Sequence, residues 1–61
     1  MFKLEFKTDN AAFGESFPTE CSDECARILS AISQRLRQGD VRGRCIDYNG
    51  NCVGTWELTD D

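Results

Sequence analysis

Four cysteines and eleven carboxylates are the side chains through which this 61-residue chain could do chemistry, and it contains no histidine. The commonest general base and zinc ligand is therefore missing. Cys21 and Cys25 stand one helical turn apart, and Cys45 and Cys52 follow after a gap of nineteen residues. That spacing matches no zinc knuckle or ribbon. A disulfide framework belongs to secreted mini-proteins, and Met1–Thr8 alternates charge with phenylalanine instead of forming the apolar core of a signal peptide. Free thiols are the preferred reading, with one or two disulfides or a metal as the alternatives. A thiol at the start of a helix, such as Cys21, can ionise more easily, but no evident base stands ready to activate it. No carboxylate pair is placed by the sequence in a cleft, and a chain this short, burying about 60 % of its unfolded surface, has no interior for a deep pocket. The expectation is a protein that is not an enzyme and carries no cofactor and no metal.

The carboxylates are more informative as a charge distribution. Residues 8–26 hold Asp9, Glu15, Glu20, Asp23 and Glu24 with no basic residue, whereas residues 27–44 hold five arginines against Asp40 alone. Helix polarity explains part of this, because acids near the first turn and arginines near the last each gain about 0.3–1 kcal/mol from the dipole. The remainder reads as an acidic face suited to a basic partner. The residues expected to carry it are Glu15, Glu20, Asp23 and Glu24 around the helix start, with Asp47, Glu57, Asp60 and Asp61 as a second group. No basic run with interleaved aromatics exists to neutralise phosphates, so direct nucleic-acid binding is not expected. No stretch is long and apolar enough to span a membrane, so the expected location is the cytoplasm.

The elements that must position these groups can be read from periodicity. Ser22–Gln38 carries apolar residues at Cys25, Ala26, Leu29, Ala31, Ile32 and Leu36, with Ile28 at the margin, which predicts a helix with one buried stripe. Thr19, Cys21 and Ser22 compete for its N-cap, Glu24 could reach back in a capping box, and Gly39 ends it. Phe2, Leu4 and Phe6 alternate with Lys3, Glu5 and Lys7, a strand with one apolar face. Phe13 and Phe17 lie in the intervening loop, either as lids over the core or with one exposed as an anchor for a partner. Arg42–Asp47 and Asn51–Leu58 form a hairpin about Asn49-Gly50. The preferred register is a type I turn with Gly50 as the bulge residue and Cys45 facing Val53. A bulge at Gly54 would then bring Trp56 and Leu58 inward.

The order strand–helix–strand–strand predicts a single α+β domain, β-α-β-β, with one helix packed on a three-stranded, mainly antiparallel sheet whose last strand is central. Its expected core is Phe2, Leu4, Phe6, Cys25, Leu29, Ile32, Leu36, Cys45, Val53, Trp56 and Leu58. Two open sheet edges allow either a monomer or a homodimer.

Three stretches, FKLEFKTDNAAF, a helix ending RLRQGD, and RGRCIDYNGNCVGTWEL, resemble a group of very small proteins of phages, prophages and mobile elements. The common pattern there is a strand, a helix, and a tail of the form D-x-NGN-x-VG-x-WE. The likeness spans nearly the whole chain and lies in Asp47, Asn49-Gly50-Asn51, Val53-Gly54 and Trp56-Glu57; cysteine at positions 45 and 52 departs from the usual Val and Thr. In size and charge the chain is also similar to anti-CRISPR proteins. What this implies is a non-enzymatic inhibitor that occupies the lysine- and arginine-rich surface with which a CRISPR effector grips DNA. The other reading is a small structural or regulatory module, such as a homodimer or an accessory subunit of a phage complex.

Overall fold

The computed structural model describes all of residues 1–61. Strand β1 (Phe2–Phe6) leads through a 3-10 turn (Ala11–Phe13) into helix α1 (Thr19–Arg37), and strands β2 (Arg42–Ile46) and β3 (Cys52–Leu58) close the chain. The sheet is antiparallel with order β1-β3-β2, the α+β arrangement with a central last strand that the periodicity predicts.

Helix α1 begins one turn earlier than its apolar pattern suggests. Pro18 occupies the cap position without a side-chain bond, and no capping box forms. Its far end closes as a Schellman motif: Asp40 N–H donates to the Arg35 carbonyl and Gly39 N–H to that of Leu36. Gly39 accepts the required positive φ (97°) at no steric cost. The Arg35 guanidinium also pairs with the Asp40 carboxylate across this turn.

The buried stripe of α1 is rotated from the expected one. Glu24, Ile28 and Ile32 are its buried residues, Cys21, Cys25 and Leu36 flank them, and Leu29 is 46 % exposed. Ile28 is 1 % exposed and central, not marginal. Phe2 and Leu58 are likewise half-exposed, so three expected core residues lie outside the core. Ala12 and Phe13 take their place, joining Ile28, Ile32, Cys45 and Trp56. The Phe13 ring stacks on Phe6 at 6.2 Å between centroids.

The hairpin turns where expected. Gly50 N–H donates to the Asp47 carbonyl and Asp47 N–H to that of Asn51. Gly50 holds the positive φ (88°) that the bulge after a type I turn requires. The pairing beyond it corrects the expected register. Cys45 lies opposite Gly54 and Ile46 opposite Cys52, so Val53 is the extra residue and the bulge falls one position earlier than Gly54. This places Trp56 on the helix side, paired with Leu4 and Gly43. Gly54 is needed for a separate reason: a Cβ there would lie 1.9 Å from the Glu5 carbonyl oxygen of β1.

Candidate functional site

The acidic residues fall into three structural situations. Glu24 and Asp47 are buried, Glu24 at 6 % and Asp47 at 2 % exposure. Each carboxylate accepts three hydrogen bonds. Glu24 Oε1 accepts from Arg27 Nε (2.8 Å), and its Oε2 accepts from Arg27 Nη2 (2.8 Å) and the Tyr48 N–H (2.9 Å). Asp47 Oδ1 accepts from the Asn49 and Asn51 N–H groups (2.9 Å each), and its Oδ2 from Asn10 Nδ2 (2.7 Å). Arg27 Nη2 further donates to the Ile46 carbonyl, and Asn10 Oδ1 accepts from the Ala12 N–H.

These bonds clasp the first loop, the helix and the hairpin at one end of the molecule. They also account for much of the D-x-NGN tail as turn chemistry, an Asp side chain capping the backbone two and four residues ahead. The Arg27 guanidinium holds the Glu24 carboxyl below its usual range, outweighing the upward push of burial, with further help from the Tyr48 N–H. Burial pushes Asp47 up, but the donors from Asn51, Asn10 and Asn49 together leave it below its ordinary value. Both carboxylates are thus engaged inside the fold instead of being displayed on the expected acidic face.

Glu15, Glu20 and Asp23 are exposed at this same end. Glu20 and Asp23 line a shallow cleft of about 340 Å³ with Gly14, Arg27 and Tyr48, and Glu24 reaches its wall. Phe17, which falls in sequence between the cleft residues Gly14 and Glu20, is 85 % exposed, while Phe13 is 1 % exposed. Of the two loop aromatics one is a lid and the other projects, with Glu15 and Glu20 in the adjoining chain.

Glu57, Asp60 and Asp61 lie elsewhere. Glu57 is on the outer sheet face, 4.0 Å from Arg42 Nε. Asp61 accepts from the Thr59 hydroxyl and sits 3.8 Å from the Met1 amino group, at the opposite end of a molecule 37 Å long. The two expected acidic groups therefore do not form one surface.

Asn10 and Arg27 are the residues that sequence reasoning missed. Asn10 was legible only as a turn former, and nothing local signals that its amide bridges 37 positions to Asp47. The thiols of Cys25 and Cys45 are pushed up by burial, Cys25 with Cys21 beside it and Cys45 with Cys52 beside it, which favours the protonated and unreactive form. No group of three or more Cys, Asp or Glu side chains is placed to hold a metal ion, and no helix is long and apolar enough to cross a membrane. No protein-family model, curated protein or solved structure matches the chain.

Proposed function

We propose that this chain is a non-catalytic inhibitor from a phage or mobile element that docks on a basic surface of a host nucleic-acid-handling complex in the host cytoplasm. Its most concrete form is an anti-CRISPR protein that blocks the DNA-gripping surface of a CRISPR effector. The observation that carries this reading is Phe17, 85 % exposed within a segment whose only charges are acidic. An exposed aromatic supplies contact area at small entropic cost, and the exposed carboxylates of Glu15, Glu20 and Asp23, near it in the chain, supply attraction to lysine and arginine. The D-x-NGN-x-VG-x-WE resemblance supports the phage or mobile-element origin. A duplex mimic would carry more charge than the net −4 of this chain, so steric blocking assisted by charge is the mechanism.

The test is binding to a purified CRISPR effector complex, followed by DNA competition. Phe17→Ala is expected to weaken binding by about tenfold or more, in the range of an interface anchor. Glu20→Lys with Asp23→Lys should weaken it further and reverse its salt dependence. Affinity unchanged by all three substitutions would eliminate this face as the docking site.

A further inference from the structure

A second surface lies away from the acidic end. Strand β1 is an edge of the sheet. The Met1 carbonyl accepts from Thr59 N–H and the Lys7 N–H donates to the Val53 carbonyl, so the odd-numbered main-chain groups of β1 face β3. By the alternation of an antiparallel ladder, those of Phe2, Leu4 and Phe6 point away from the sheet, unpaired. The side chains divide by the same rule. Phe2, Leu4 and Phe6 share the helix-side face with Trp56, and Lys3 and Glu5 stand on the outer face. The helix-side face is incompletely covered here. Phe2 is 44 % exposed and Leu29 46 %, and both line one groove with Leu36.

We propose that the β1 edge pairs with the β1 edge of a second copy of this chain, giving a two-fold homodimer with a continuous six-stranded antiparallel sheet and both helices on the same face. The charges select this occupant and its register. With Leu4 opposite Leu4 of the second copy, the strands overlap fully, Phe2 meets Phe6, and Lys3 meets Glu5 in both directions. The outer face already runs Arg42, Glu57, Lys3 across the three strands. Pairing extends that row to Glu5, Thr55 and Arg44 of the second copy, with no like charges adjacent. A shift of two residues either way loses overlap and sets Lys3 against Lys3, or Glu5 against Glu5, directly opposite, which is destabilising. The other edge cannot do the same. Val41 accepts from Leu58 N–H, so Arg42 and Arg44 carry the outward main-chain groups of β2, and the fully overlapped self-pairing there sets Arg44 against Arg44, while a shift toward the strand's start sets Arg42 against Arg44. One edge is protected against its own copy and the other is complementary to it.

Sedimentation velocity and light scattering on the purified chain, across a range of concentrations, test the proposal. The expected result is a species of twice 6.9 kDa in equilibrium with monomer. Lys3→Glu or Glu5→Lys alone places like charges in register and should weaken dimerisation by about tenfold. The double variant, K3E with E5K, restores complementarity and should recover it. An equimolar mixture of the two single variants should form a heterodimer in preference to either homodimer. Both positions are exposed, and far-UV circular dichroism would verify that each variant stays folded. A monomer at every concentration would overturn the proposal, as would a dimer whose strength ignores the single reversals or is not recovered in the double. Neither result bears on the Phe17 face, whose own test uses different residues.

Discussion

The two ends of this molecule are built from the same helix and the same sheet, yet they are closed in opposite ways. At the hairpin end, Glu24 and Asp47 are buried with three donors each, and Phe13 lies beneath the loop that Asn10 ties down. At the other end, Phe2, Leu29 and Leu58 are left between 42 % and 46 % exposed, although the Phe2 ring leans on Trp56. A domain of this size has too little apolar surface to close both ends. The difference teaches that polar groups can take over the work of a core when every acceptor is matched. Where they do not, a small fold leaves surface for another molecule to cover.

The sharpest way to break this comparison is at the two loop aromatics. Phe13→Ala should cost about 3–5 kcal/mol in urea unfolding, the usual loss for a fully buried aromatic. Phe17→Ala should fall within about 0.5 kcal/mol of the parent, because it touches solvent on nearly every side. Comparable losses from the two would mean that the hairpin end is not closed by Phe13.

Acid is the next test, since the closed end depends on ionised carboxylates. Glu24 and Asp47 both hold their protons less tightly in the folded state than at their ordinary values of 4.5 and 3.8. A depressed folded value means the stabilisation is fully present above those ordinary values. It is lost as pH falls through the lower, folded ones. Unfolding followed by circular dichroism should therefore show stability level near neutrality and dropping steeply below about pH 4.5. Asn10→Ala removes one donor to Asp47 and should make that drop shallower while lowering stability at pH 7. An acid limb unchanged in the Asn10 variant would show that its amide does not set the Asp47 equilibrium.

How far this was legible in the sequence depended on whether the deciding interaction was local. The β-α-β-β order, the antiparallel sheet with β3 central and the turn at Asn49-Gly50 all follow from periodicity and turn chemistry within a few residues. The rotation of the helix stripe does not. Spacing alone places Leu29 inward and an acid such as Glu24 outward, and it is the Tyr48 N–H, arriving from 24 positions away beside the local Arg27 pair, that lets a carboxylate occupy the buried line. The same long-range closure withdrew Glu24 and Asp47 from the acidic face. It left Glu15, Glu20 and Asp23 exposed out of the four acids expected around the helix start. The Val53 bulge was readable as a need, since parity fails between Val53 and Trp56, but its position depends on how closely Gly54 approaches β1.

The smallest expected effect discriminates the helix rotation most finely. Ile28 and Leu29 are consecutive, so their side chains diverge by about 100° around the helix axis. Ile28→Ala should cost about 2–5 kcal/mol. Leu29→Ala should change stability by no more than about 0.5 kcal/mol, measured at dilution where association between copies does not contribute. The ordering carries the inference, because a helix turned by one residue would exchange the two values while leaving the helix content and the sheet untouched. A larger loss at Leu29 than at Ile28 would put Leu29 back in the core. It would also swing Glu24 and Arg27 together away from the Tyr48 N–H and the Ile46 carbonyl, since Glu24, Arg27 and Leu29 share one rigid rod. The network at the hairpin end would then have lost its helical member, and the contrast between a closed end and an open one would go with it.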